Sequence, residues 1–99
     1  MQSFYPERFE REMGCTLADW LRWLPGGSGG HPLLQGEGHA RVDLPDGRLE
    51  LTWQVLPPRR IGLATLPRLH VTFDFNTLPE PARHAFMRYF DLYTQRGGG

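Results

Sequence analysis

Apolar and polar residues alternate along three runs in the middle of the chain. Ala40, Val42 and Leu44 interleave with His39, Arg41 and Asp43. Leu49, Leu51, Trp53 and Val55 interleave with Glu50, Thr52 and Gln54, and Leu69, Val71, Phe73 and Phe75 with Arg68, His70, Thr72 and Asp74. Period-two alternation of this kind predicts strands with one buried and one solvated face, the mark of an antiparallel sheet covered on one side. A further run over residues 60–66 alternates without fixing its facing: either Ile61, Leu63 and Thr65 or Ala64 and Leu66 point to the core. Counting it, the pattern predicts a four-stranded meander. Pro57-Pro58 is expected to close the second strand. Matching the apolar sets of the first two strands requires an even-length loop, for which Asp46-Gly47 in a type I′ turn, or a four-residue loop over 45–48, is suited.

Helical periodicity flanks the strands. Leu17, Trp20, Leu21 and Leu24 recur at i, i+3, i+4 and i+7, with Thr16 as N-cap and Asp19 three residues on. Pro25 and the run Gly26-Gly27-Ser28-Gly29-Gly30 are expected to stop this helix and open a flexible connection over 25–38. Thr77-Leu78-Pro79-Glu80 reads as a capping box, and Leu78, Ala82, Ala85, Phe86, Tyr89, Phe90 and Tyr93 form a continuous apolar stripe. That helix is the natural lid for the sheet, with Phe73 and Phe86 expected to meet at its centre. Ahead of these elements, Phe9 and Met13 among the charges of residues 4–13 suggest a short additional helix ended by Gly14. The expected architecture is α+β in two layers: one or two N-terminal helices, a four-stranded antiparallel meander and a C-terminal helix on its apolar face. Residues 1–99 are expected to form a single domain, with 96–99 a disordered tail.

The composition, 39% apolar and 22% charged, is that of a folded globular chain rather than a disordered one. Formal net charge is zero, so the whole chain carries no field that would steer it to nucleic acid or anionic lipid. All eleven basic residues are Arg and Ile and Asn occur once each, a bias that points to a GC-rich, bacterial coding sequence. The single cysteine, Cys15, excludes an internal disulfide, and no apolar run approaches a membrane span, so a cytoplasmic setting is expected.

Chemistry-bearing residues are sparse. Cys15, His31, His39, His70 and His84 lack metal-ligand spacing, and neither a metal nor a cofactor is expected. Cys15, beside Thr16 at a helix start, is expected to be a small packed side chain rather than an activated thiol. The carboxylates Asp43, Glu50 and Asp74 interleave with arginines on the wet face, as cross-strand ion pairs do. The glycine run lacks the preceding strand, the Lys and the following helix of a phosphate loop. Trp53, Phe73 and Phe75 share the apolar register and are therefore not available as a base-stacking platform.

What remains is a candidate binding edge on the wet face, formed by Arg41, Arg59, Arg60, Arg68 and His70. The composition and pattern favour a non-catalytic binding or protein-interaction module, monomeric or weakly dimeric, with another protein as partner rather than nucleic acid or membrane. A small ligand-binding protein or enzyme is the alternative, its cavity lined by Trp20, Trp23, Trp53 and Tyr89 between helices and sheet. The tail Gln95-Arg96-Gly97-Gly98-Gly99 resembles the C-terminal glycines of ubiquitin-like and sulfur-carrier proteins. The resemblance is confined to the tail and implies a carrier role. In that family a strand precedes the glycines, whereas a helical pattern does here.

Overall fold

The computed structural model describes residues 4–96, and its architecture is α+β: a five-stranded antiparallel sheet with two helices on one face. The elements run β1 (Arg8–Met13), α1 (Leu17–Gly27), β2 (Leu33–Gly36), β3 (His39–Leu44), β4 (Gly47–Ile61), β5 (Ala64–Asn76) and α2 (Glu80–Gln95). Strand order is β1-β5-β4-β3-β2, so β2 to β5 form a meander and β1 adds to its far edge beside β5. The glycine tail, Gly97 to Gly99, lies outside the described residues.

The facing read from the alternation is the facing observed. Val42, Leu49, Leu51, Leu69, Val71, Phe73 and Phe75 are buried against the helices, while Arg41, Glu50, Thr52, His70 and Asp74 lie on the open face. Trp20, Leu24, Phe86, Met87 and Phe90 close the core from the helical side. Phe73 and Phe86 are both buried, but Phe73 pairs one helical turn further along α2 and Phe86 pairs two residues further along β5. Phe73 meets Phe90 edge-on at 5.6 Å, and Phe86 meets Phe75 at 6.0 Å.

Several local expectations need correction. Residues 8–13 form β1 rather than a helix, paired from Arg8↔Asp74 to Met13↔Leu69. Phe9 and Met13 are four residues apart, a spacing that puts them on one side of a helix and equally on one face of a strand. The sheet has five strands because β1 and β2 are added to the expected set while residues 60–66 are shared between β4 and β5. Residues 25–38 are not an open connection, since Pro25 to Gly27 belong to α1 and residues 33–36 form β2. Gly26 and Gly27 are a contact surface: a Cβ on Gly26 would collide with the Tyr93 ring, and one on Gly27 would sit 3.2 Å from Phe90. Glycine there lets α2 approach α1 closely.

The run over 60–66 is not a separate strand, and Pro57-Pro58 does not end the second one. β4 continues through a bulge between Leu56 and Arg59, where Pro57 and Pro58 oppose Pro67. The β4–β5 ladder is interrupted at this level and no third strand pairs there, so the prolines cost the hairpin little. The β3–β4 turn uses Pro45-Asp46, with Leu44 opposite Gly47, a shift of two residues from the expected pairing that keeps every side chain on its face. The capping box at α2 does not form. Pro79 is the N-cap without a side-chain bond, Glu80 Oε2 instead accepts from the Tyr5 N–H at 3.4 Å, and Arg83 donates to the carbonyls of Leu78 and Tyr5. Thr77 holds a φ of 63°, a left-handed conformation rare for a β-branched residue.

Candidate functional site

β4 and β5 outrun their neighbours. β3 pairs with β4 only as far as Thr52, and β1 pairs with β5 only from Leu69 onward. Residues 54–61 and 64–68 are therefore laddered only to each other and project as a two-stranded arm, which helps give the molecule a 46 Å long axis against 29 and 24 Å across. Gly62, with φ of 59°, and Leu63 form the two-residue tip between Ile61 and Ala64, the pattern of a glycine-first hairpin turn.

The arm is apolar on both faces and at its end. From the register, Leu66 and Ile61 continue the open face of the sheet, while Val55 continues the helical face beyond the helices that would cover it. Val55 and Ile61 are each 57% exposed, Leu66 is 44% exposed and Leu63 is fully exposed. Its charge is one-sided: residues 54–68 contain Arg59, Arg60 and Arg68 and no carboxylate. Arg59 and Arg60, consecutive in an extended strand, fall on opposite faces.

Three of the five candidate binding residues come together where the arm leaves the sheet. Glu12 of β1 accepts from Arg68 Nε at 3.0 Å and Nη2 at 2.8 Å, and from Arg59 Nη2 at 3.4 Å. Arg68 also donates to the Pro57 carbonyl at 3.2 Å. His70 Nε2 lies 2.7 Å from Glu10 Oε1. The hydrogen bond from Arg68 holds the Glu12 carboxyl below its ordinary range, and Glu12 in turn raises Arg68. The edge expected to be basic is thus a set of ion pairs donated by β1, a strand missed in the sequence. Arg60 stands apart, exposed on the arm's other face.

Arg41, the fifth, lies in a different place. It lines a shallow groove of about 660 Å³ on the open sheet face with Leu34, His39, Glu50, Thr52 and Asp74. Glu50 stands opposite Asp74 on one side and Arg41 on the other. Arg8 takes Asp74 at 3.2 Å, and Arg41 Nε turns to Asp43 at 3.0 Å without the alignment of a hydrogen bond. These are exposed pairs, each contributing little.

Trp20, Trp53 and Tyr89, three of the residues that the alternative reading places around a cavity between helices and sheet, do not enclose one together. Trp20 is fully buried and packs edge-on against Trp53 at 5.6 Å and Phe90 at 5.9 Å. Tyr89 points elsewhere, into an apolar groove of about 450 Å³ with Phe86, Ala82, Leu78, Leu44 and Pro45, where His31 and Asp46 supply polar groups. Among the described residues, no three His, Cys, Asp or Glu side chains are grouped to hold a metal ion, and no helix is long and apolar enough to cross a membrane.

Cys15 is buried, and that burial, with Asp19 nearby, pushes its thiol up to about 11. The neutral thiol is a poor nucleophile. Native protein at pH 7.5 is expected to react with a disulfide reagent at least tenfold more slowly than urea-unfolded protein, and equal rates would contradict the burial. Because the folded thiol pKa lies above its ordinary 9.0, the associated stability is complete below pH 9 and is lost as pH rises toward 11.

No protein-family model matches the chain, and no curated protein matches it.

Proposed function

We propose that the protein is a non-catalytic docking module of a bacterial cytoplasm and that the β4–β5 arm is its working element. The arm carries this reading: large apolar side chains on both faces and at the tip of a projecting hairpin mark a surface that is covered when the protein works. Its edges are protected against indiscriminate strand addition, because Pro57, Pro58 and Pro67 remove donors at one level of both strands. Recognition therefore runs through side chains rather than through an added strand. The absence of catalysis is supported by the reasons behind the shifted groups. Glu12 and Asp19 are drawn low by surface arginines, and Cys15 is pushed in the unreactive direction.

Photo-cross-linking in the native host tests the assignment. With p-benzoylphenylalanine in place of Leu63, irradiation is expected to give a discrete adduct, whereas the same probe in place of the exposed Arg22 on α1 gives none. Failure of the position-63 probe to form any adduct overturns the role of the arm.

A second reading, a small-ligand carrier, is favoured by the apolar groove beside Tyr89, whose volume is in the range of small-molecule sites. Saturable quenching of tyrosine fluorescence by an apolar ligand, abolished by Ala85→Arg, would support it.

A further inference from the structure

The arm's chemistry also identifies what covers it, on the assumption that it is the docking element. We propose that the tip of the β4–β5 hairpin inserts into the interfacial region of an anionic membrane surface, with Leu63 and Ile61 entering the acyl boundary and Arg59 and Arg60 binding headgroup phosphates. Here the exposed apolar side chains nearest the end are Leu63 at the tip and Ile61 in the first pair, so the covering medium must receive the hairpin end-on. A bilayer interface does this without a preformed cleft.

The charges are arranged to match. Ile61↔Ala64 is the pair next to the tip, Arg60↔Thr65 the second and Arg59↔Leu66 the third. At about 3.4 Å per residue the two guanidinium-bearing positions lie roughly 3 to 7 Å behind the first pair, close to the 5 to 10 Å burial of interfacial elements. Arg60 is exposed on one face, and Arg59 on the other is held only by a long, exposed contact to Glu12 at 3.4 Å that a phosphate can replace, so a cationic group is available on each side of the arm. Arginine suits that position, since its planar fork binds phosphate through two donors. The absence of any carboxylate from residues 54–68 removes the repulsion that an anionic surface would otherwise meet. Zero net charge conceals this, because the eleven acidic residues all lie elsewhere. Insertion stops at the interface. The outer edges of both arm strands carry unpaired backbone groups, which hydrocarbon does not tolerate.

Co-sedimentation of the purified protein with vesicles tests the proposal. Binding is expected to vesicles of phosphatidylcholine with 30% phosphatidylglycerol, to weaken as salt screens the headgroups, and to fall by at least about tenfold for phosphatidylcholine alone. Leu63→Asp is expected to lower binding at least about tenfold, and Arg60→Gln by about fivefold. Both variants should melt with the parent, because the arm makes no contact with the buried core at those positions. Absence of binding to anionic vesicles, equal binding to neutral ones, or binding undiminished in Leu63→Asp overturns the proposal. So does a position-63 cross-link that captures only protein. That last outcome leaves the arm as the docking element while replacing the lipid with a protein partner, so the two failures are distinguishable.

Discussion

Phe90→Ala is expected to destabilise the protein by about 3 to 5 kcal/mol, enough to lower the melting temperature by roughly 15 °C or more. Phe90 is the side chain on which both helices and the sheet converge: its ring meets Phe73 at 5.6 Å, Trp20 at 5.9 Å and Phe86 at 6.2 Å, and its face lies over Gly27. Truncation opens a cavity whose walls cannot easily collapse, because Gly27 on one side has no side chain to move and the sheet on the other is held by its ladders. Phe86→Ala should cost less, since Phe86 borders the groove beside Tyr89 and solvent or Tyr89 can occupy part of the vacated space. Urea unfolding of the two variants checks the order. A Phe90→Ala midpoint close to that of the parent, or a larger loss for Phe86→Ala, would show that the core is centred elsewhere.

The places where the sequence was legible share a physical cause. Along β3, the first half of β4 and the second half of β5, one face is dry and the other wet, and period two survives into the sequence intact. The α1 cap was legible because Thr16 does what its position implies, its hydroxyl accepting from the Asp19 N–H at 3.1 Å. Legibility failed where one residue serves two purposes. At α2 the expected capping glutamate, Glu80, is taken by the Tyr5 N–H, so the box that the pattern spelled is not built. At Pro57-Pro58 the breaker signal was sound for a central strand and irrelevant for a hairpin with no further neighbour. The glycine run read as a linker because a glycine that admits another helix and one that frees a loop look the same until the second helix is placed.

The candidate residues were legible in kind and not in arrangement. Arg59, Arg68 and His70 do gather at one corner, but the carboxylates that meet them belong to β1, which had not been recognised. The exposure of Ile61, Leu63 and Leu66 was invisible for a different reason. Alternation alone says which residues share a face, and only the lengths of β1 and β3 reveal that this stretch has no layer to pack against. The apolar tip and the arginines behind it are all carried by residues 59–68 of the sequence, and only the partner of Arg59 and Arg68, Glu12, comes from elsewhere.

β1 was missed because Arg11 occupies an inward position between Phe9 and Met13, where alternation calls for an apolar residue, and the largest remaining prediction concerns how that arginine is accommodated. Arg11 Nη1 donates to Asp91 Oδ1 at 2.7 Å, the Tyr5 hydroxyl donates to Asp91 Oδ2 at 2.7 Å, and the guanidinium carbon lies 5.1 Å from the Phe73 ring centre. Asp91 is a buried residue of α2 and the Arg11 side chain is 22% exposed, so this pair joins the edge strand to the C-terminal helix at the margin of the core. Asp91→Ala is expected to cost about 3 to 5 kcal/mol, because it takes a buried carboxylate from the partly buried Arg11 guanidinium and from the buried Tyr5 hydroxyl at once. Tyr5→Phe, which removes one hydrogen bond and no charge, should cost only about 1 kcal/mol. Replacing the charged pair together, as Arg11→Met with Asp91→Leu, should recover the part of the loss that comes from the charge, leaving only the roughly 1 kcal/mol of the Tyr5 hydrogen bond. The three variants form a test by denaturant unfolding and amide exchange. If the interaction is as assigned, the single Asp91→Ala change also exposes the amides of β1 ahead of those of β4. A double variant no more stable than Asp91→Ala would mean that the ion pair holds β1 in place through geometry that packing alone does not supply.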